Sequence, residues 1–192
     1  MNAPAPSNLK ASRMKLLAIM AVFAAPIIVA GILTFSGWQP GGKGYGRPVE
    51  PQRNFVDEHV HVSLADGGSD YAWRDPAAPR MTLVALAGPG CAARCFESLT
   101  GMAKAWVTLN RNQKRLRLLY IGTPPADPAQ VSAMKSFWVL GRDAEGKLDV
   151  FRPSAPDSVS ALLVESNGTA LAYYPAGFDG TGLLRDMHKV IK

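Results

Sequence analysis

The chain has 192 residues, of which 47% are hydrophobic, and this length leaves room for one domain of ordinary size beside a membrane segment. Its net charge of +6 does not indicate a nucleic-acid-binding protein, because three of the 21 Lys and Arg precede an apolar run and all 15 Asp and Glu lie beyond it. The sequence shows no phosphate-binding loop, carboxylate pair or Ser-His-Asp set, so it does not predict a nucleotide enzyme or a hydrolase.

The first predicted element is a transmembrane helix in the apolar run Leu16–Phe35. A helix of that length spans roughly 30 Å, the thickness of the hydrocarbon core of a bilayer. The basic residues before the run are Lys10, Arg13 and Lys15. By the positive-inside rule they predict a cytoplasmic tail (1–15), a single-pass anchor in the inner membrane (16–38) and a periplasmic remainder. The alternative is a cleaved signal peptide, which would have a shorter apolar region and an Ala-x-Ala-like site.

A Gly- and Pro-rich segment follows the anchor, and we predict that residues 39–57 form a tether. Residues 58–192 then form the periplasmic domain. Because the periplasm is an oxidising compartment, paired cysteines in this domain can form a disulfide.

The domain is predicted to alternate strands and helices. The predicted strands cover 60–64, 81–87 and 116–121, and a late hairpin joins 160–164 to 169–174 through a type I′ turn at Asn167-Gly168. The predicted helices cover 91–110, 128–135 with Asp127 as N-cap, and 183–191. This order predicts an α/β fold with a mixed sheet flanked by helices, and it matches the thioredoxin-like fold.

The densest basic cluster lies where the first predicted helix of the domain ends. Its members are Arg111, Lys114, Arg115 and Arg117. Cations near a helix C-terminus complement the helix dipole, so we interpret the cluster as a solvated face. No aromatic residues are interleaved with it, which again excludes nucleic acid as a partner.

The candidate catalytic residues are Cys91 and Cys95, the two cysteines of the chain. They lie at the predicted start of a helix, where the helix dipole and the intervening Arg94 would lower a cysteine pKa and favour the thiolate. Two thiolates four residues apart can hold a soft metal such as Cu(I) or Zn(II), shuttle electrons as a disulfide, or staple a turn. Ordinary thioredoxin-type reductants have two residues between the cysteines, whereas this chain has three.

Together these features resemble the Sco/SenC family: an anchor, a tether, Cys-x-x-x-Cys at a helix start after a buried strand, and the late hairpin segment 162–168. Members of that family are membrane-anchored, thioredoxin-like proteins that deliver copper to cytochrome c oxidase or keep its copper-site cysteines reduced. The resemblance covers roughly 81–192 and implies that Cys91 and Cys95 bind Cu(I).

The chain departs from the family pattern in two respects. The family has proline after each cysteine, whereas Ala92 and Phe96 stand here. It also has a histidine as third copper ligand before the hairpin, and that place falls at or near Asp157. A carboxylate is a hard ligand that suits Cu(I) poorly. The sequence therefore resembles a divergent branch without the histidine ligand.

Two further candidates for a third ligand are His59 and His61. On a strand their imidazoles would share one face and could chelate a metal. The alternative is that both lie on a solvent-facing side of that strand.

Two functional hypotheses follow. In the first, the protein assists assembly of a copper-containing terminal oxidase through Cu(I) transfer or thiol–disulfide exchange, with oxidase subunits or other assembly factors as partners. As an oxidoreductase it would attack with Cys91 and resolve with Cys95. In the second, it is a non-catalytic interaction domain whose disulfide is structural.

Overall fold

The computed structural model describes residues 9–35 and 44–191, which belong to two compact units that divide after Lys43. The first unit contains helix α1 (Leu9–Phe35), in which 13–32 have the length and composition of a membrane span, with a mean hydropathy of 2.3. The predicted N-terminal membrane helix is thereby confirmed as a candidate span. Residues 1–8 and 36–43, which include parts of the predicted tail, anchor and tether, lie outside the described residues.

The second unit is built on one seven-stranded mixed sheet. Its strands are β1 (Arg47–Pro48), β2 (Val62–Leu64), β3 (Met81–Ala87), β4 (Leu116–Ile121), β5 (Val139–Asp143), β6 (Val159–Val164) and β7 (Ala170–Tyr174). They run in the order β1-β7-β6-β3-β4-β5-β2. The pairs β3–β4 and β4–β5 are parallel, and the other pairs are antiparallel. The predicted α/β fold with a mixed sheet is confirmed.

Three α-helices accompany the sheet: α2 (Ala93–Thr108), α3 (Pro128–Lys135) and α4 (Gly180–Val190). Short 3-10 helices lie at 110–115 and 149–151. The helix α3 begins as predicted, because the Asp127 carboxylate accepts a hydrogen bond of 2.8 Å from the N–H of Ala129. Helix α4 begins three residues before the prediction, because Asp179 caps the N–H groups of Thr181 and Gly182.

The core has two layers, one on each face of the sheet. On one face, Leu83, Leu118 and Leu163 pack with residues of α2 and α4. On the other face, the central strands are covered by the segments around Phe55 and Trp73. Because both faces are covered, the central strands β3 and β6 are apolar almost throughout, and this made them predictable.

Two local predictions are wrong. The type I′ turn requires a positive φ at both Asn167 and Gly168, but here only Gly168 has one (92°), and its N–H donates to the carbonyl of Glu165. The second is the helix start: α2 begins at Ala93 rather than Cys91, because Gly90 turns the chain with a φ of 71°.

The described part of the predicted tether is hydrogen-bonded to the domain. The N–H groups of Tyr45 and Gly46 donate to the Asp186 carboxylate on α4 at 2.5 and 3.0 Å. Strand β1 pairs with β7, and Asn54 bridges to Thr169. Residues from Gly44 onward therefore belong to the second compact unit.

Candidate functional site

The cysteine pair lies between the C-terminal end of β3 and the first turn of α2. Cys91 and Cys95 form a disulfide, with their Cα atoms 5.2 Å apart. Cys95, in the first turn of α2, is fully buried, whereas 8% of the surface of Cys91 is exposed. A partner that attacks the disulfide therefore reaches Cys91 more readily than Cys95.

The turn before Cys91 is held by the loop 152–158, which precedes β6. The N–H of Gly88 donates to the carbonyl of Ser158 at 2.9 Å, and a guanidinium N–H of Arg152 donates to the carbonyl of Ala87 at 2.7 Å. A Cβ on Gly88 would lie 2.4 Å from the carbonyl oxygen of Ala155. Only glycine allows this close approach of the two backbones.

Asp157 lies at the N-terminus of α2, and its carboxylate caps that helix from a distant part of the chain. One oxygen accepts hydrogen bonds from the N–H groups of Ala92 (2.7 Å) and Cys95 (3.0 Å). The other accepts from the N–H of Arg94 at 3.1 Å, with the Arg94 guanidinium 3.6 Å away. The structure thus brings Asp157 to the cysteine pair as a cap of the helix.

These contacts set the charge of the site. The hydrogen bond from the Cys95 N–H lowers the pKa of Asp157, partial burial opposes this, and the N–H groups of Arg94 and Ala92 add to the lowering. Asp157 is therefore ionised at neutral pH. That this helix end stabilises a thiolate stays a prediction, to which the structure adds that a carboxylate shares the helix end and that the Arg94 side chain is 78% exposed.

The two histidines lie apart from the cysteines. His59 is in a turn before β2 with a φ of 51°, so the predicted alternation on a strand does not hold. The Nδ1 atom of His61 lies 2.9 Å from the Asp70 carboxylate. Strand β2, which follows them, is three strands away from β3, or roughly 14 Å across the sheet. Among the described residues, no group of three His, Cys, Asp or Glu is arranged to hold a metal.

The role of Asp157 as a helix cap was not apparent from the sequence, because caps are recognised next to the helix they serve. Asp157 follows Cys95 by 62 positions. The signal that could have pointed to it is the missing local cap: Ala92 stands at the N-cap position and has no side-chain hydrogen bond to offer.

A family model matches residues 81–192, which is more than half of the chain, and the family is described as a transmembrane-like, thioredoxin-like, C-terminal domain. The chain belongs to this family. The match begins at β3 and includes the cysteine pair, Asp157 and both helices that pack on the core face. No curated protein matches the chain in sequence.

Solved structures share the fold at low identity. Apo Sco1 from Thermus thermophilus is 13% identical with a TM-score of 0.54, and the match covers 79% of this chain and 99% of that protein. Yeast Sco1 with copper bound is 13% identical with a TM-score of 0.50, covering 77% and 88%. A thiol:disulfide interchange protein from Bacteroides sp. is 14% identical with a TM-score of 0.48, covering 76% and 89%.

The fold of this family member is therefore thioredoxin-like and shared with Sco proteins, as the sequence predicted. It is combined with one N-terminal helix long and apolar enough to cross a membrane.

Proposed function

We propose that this protein is a membrane-anchored assembly factor for a copper-containing terminal oxidase, acting by thiol–disulfide exchange through Cys91 and Cys95. The observation that carries the proposal is a disulfide at the strand-to-helix junction of a thioredoxin-like fold, with Cys91 8% exposed and Cys95 fully buried. The domain faces the periplasm, since the basic residues precede the candidate span. Its partners are oxidase subunits or other assembly factors.

The exchange proceeds in two steps when the protein acts as a reductant. The Cys91 thiolate attacks a partner disulfide and forms a mixed disulfide, releasing one partner thiolate. The Cys95 thiolate then attacks the sulfur of Cys91, which frees the second partner thiolate and closes the Cys91–Cys95 disulfide. The partner gains two electrons and this chain loses them. A dithiol reductant outside the membrane must restore the pair for each further turnover.

Cu(I) transfer by the reduced pair is the second candidate function. Two adjacent thiolates are soft ligands that suit Cu(I), which supports this candidate. Asp157 is a hard ligand, and its oxygens accept three backbone N–H groups, so it fits the helix end better than a copper ion. Because no histidine joins the cysteines in a metal-binding group within the described residues, we place the chain in a divergent branch of Sco/SenC-like proteins and assign copper as cargo held by the two cysteines.

A trapping experiment tests the exchange function. Full-length Cys95→Ser, expressed in a host whose oxidase can be purified, should accumulate a mixed disulfide with a partner on non-reducing gels. Cys91→Ser is the matched control and should trap no partner. If neither variant traps a partner and oxidase activity is normal in both, the exchange function is wrong and the disulfide is structural.

A Cu(I) titration tests the second function. The reduced full-length chain in detergent should compete with a chromophoric Cu(I) chelator at one ion per chain, and Cys91→Ser should lose that binding. Retained binding in Cys91→Ser would show that the ligands lie elsewhere, in which case His59 and His61 would be substituted next.

A further inference from the structure

A cleft of about 530 Å³ lies at the N-terminal ends of β3 and β4, whereas the cysteines follow the C-terminal end of β3. Strand β5 pairs with β4 only from Leu119 to Ile121, so it leaves the first half of β4 uncovered on that side. The cleft opens there. Its basic lining residues are Arg80, Lys114 and Arg117.

The two arginines line the same cleft. Arg117 is opposite Thr82 in the parallel pair, so these two side chains leave the sheet on the same side, and Arg80 directly precedes β3. Two like charges that line one cleft repel each other. The Arg117 guanidinium lies 4.7 Å from the ring centre of Tyr71, whose hydroxyl hydrogen-bonds Thr82 at 2.7 Å.

Neither arginine is neutralised within the described part of the chain. The Nε atoms of Arg80 and Arg117 are both buried and have no hydrogen-bond partner there. Arg117 donates from Nη2 to the carbonyl of Ala72 at 2.8 Å, but no carboxylate among the described residues forms an ion pair with Arg80, Lys114 or Arg117. A buried donor without an acceptor is costly, so a ligand that offers an acceptor to these N–H groups would be stabilised there.

The cleft also has polar residues that are already engaged. The Asp70 carboxylate at its rim is 2.9 Å from the Nδ1 atom of His61. The Gln113 amide donates to the carbonyl of Val107 at 2.6 Å. Three cations against the one carboxylate of Asp70 give the lining an excess of positive charge, which selects an anion.

We propose that this cleft is a binding site for a phosphate oxyanion. Two guanidinium groups and one ammonium complement the charge of a phosphate, and arginine N–H groups bind its oxygens through strong, charge-assisted hydrogen bonds. Binding would satisfy both buried Nε atoms and remove the repulsion between the arginines. The phosphate is either free in solution or part of a lipid headgroup, and the site is independent of the cysteine chemistry.

The test uses the full-length chain in a nonionic detergent at about 0.15 M ionic strength, where nonspecific attraction is screened. Inorganic phosphate and glycerophosphoglycerol, a deacylated phospholipid headgroup, are titrated separately by calorimetry. One of them should bind saturably at one per chain. Binding of phosphate alone identifies a free anion as the ligand, and binding of glycerophosphoglycerol alone identifies a lipid headgroup.

The decisive variant is Arg80→Gln, because the Nε atom of Arg80 has no hydrogen-bond partner among the described residues and its guanidinium forms no ion pair there. It should weaken binding at least tenfold, in line with the loss of a charge-assisted hydrogen bond. Arg111→Gln removes an exposed cation outside the cleft and should leave binding unchanged. Absence of binding by both probes, or equal weakening in the two variants, would overturn the proposal.

A stability measurement provides a second readout. Without ligand, Arg80→Gln should melt at the same or a higher temperature than the wild type, because the repulsion with Arg117 is removed. Addition of the probe should raise the melting temperature of the wild type but not that of the variant. A variant that is destabilised without ligand and gains as much from the probe as the wild type would contradict a site built on Arg80.

Discussion

The carboxylate of Asp157 accepts the N–H groups of Ala92, Arg94 and Cys95, so a thiolate at Cys91 shares this helix end with a negative charge. A helix N-terminus stabilises an anion, and here the Asp157 carboxylate and the Cys91 thiolate share that stabilisation. Repulsion between them destabilises the reduced, ionised pair relative to the disulfide. Asp157 is therefore expected to make the reduction potential of the cysteine pair more negative.

The first prediction concerns Asp157→Asn, which keeps an oxygen that can cap the helix but removes the charge. It should lower the pKa of Cys91 and raise the reduction potential by roughly 30 mV, a tenfold change in the equilibrium constant. Equilibration with glutathione buffers measures the potential, and thiolate absorbance measures the pKa. Asp66→Asn, in an exposed turn after β2 where the carboxylate accepts the N–H of Gly68, is the control. Equal potentials in Asp157→Asn and the wild type would show that the charge does not act on the cysteines.

The second prediction concerns Gly88→Ala, where a Cβ would meet the carbonyl oxygens of Ala155 and Pro153 at 2.4 and 2.8 Å. The forced shift of the loop should lower the free energy of unfolding by about 1–3 kcal/mol. Urea denaturation measures it. Gly101→Ala is the matched control, because its Cβ meets nothing within 4 Å in the middle of α2, and it should stabilise by about 0.5–1 kcal/mol. An unchanged free energy of unfolding in Gly88→Ala would show that the loop moves at little cost, which would contradict this prediction.

The sequence predicted the position of the cysteines but not the electrostatics around them. A strand followed by Gly-Pro-Gly-Cys locates the pair by local pattern alone. The cap by Asp157 is made by residues 62 positions apart, and the half-buried Arg80 and Arg117 come to one cleft only in the folded domain. Contacts of this kind depend on tertiary structure, and the hydrophobic periodicity of the sequence does not predict them.

Helix α4 is hydrogen-bonded to two residues near the start of the domain, Tyr45 and Gly46. Its Asp186 carboxylate accepts the N–H groups of Tyr45 and Gly46 and the hydroxyl of Tyr174, and it pairs with the ammonium of Lys189. Burial opposes the ionisation of Asp186, but the N–H of Gly46, the Lys189 ammonium and the N–H of Tyr45 together lower its pKa. The ionised carboxylate thus stabilises the folded domain.

The third prediction is a pH dependence with a defined sign. Because the folded pKa of Asp186 is below the ordinary value of about 3.9, its contribution is present above about pH 4 and is lost as the pH falls further. Asp186→Asn should be less stable than the wild type by about 1–3 kcal/mol at pH 7. The difference should shrink at pH 3, as measured by urea denaturation. A difference that stays constant between these pH values would contradict the role assigned to the charge.

Among the elements, the strands with a clear apolar pattern were predictable, including the edge strand β2, whereas β5 and β1 were not. Strands β3, β4 and β6 are mostly apolar because helices or loops cover both faces. Strand β5 (Val139–Asp143) ends in Gly-Arg-Asp, and β1 has only two residues. Their pairing is decided by neighbouring strands, so their own sequences carry little signal.

At the scale of the whole molecule, a candidate membrane helix precedes a thioredoxin-like domain whose first described residue is Gly44. The family match to a transmembrane-like, thioredoxin-like domain agrees with this combination. The proposed exchange requires the domain to face an oxidising compartment, where partner cysteines form disulfides.

The fourth prediction tests that orientation. Alkaline phosphatase fused to the C-terminus folds only where its disulfides form, so the fusion should be active in intact cells. A fusion in which Lys10, Arg13 and Lys15 are replaced by Gln should be less active, because the topology signal is lost. A high activity of a cytoplasmic reporter fused to the same position would contradict a periplasmic domain.

The central claim is that the Cys91–Cys95 disulfide is exchanged in function, and its reduction potential tests this most directly. The full-length chain in detergent would be equilibrated with dithiol buffers of known potential, and the reduced fraction counted by alkylation and mass spectrometry. Our account predicts a value less negative than about −300 mV, in the range of disulfides that partners can reduce. A value below about −300 mV would mark a structural bridge and contradict it.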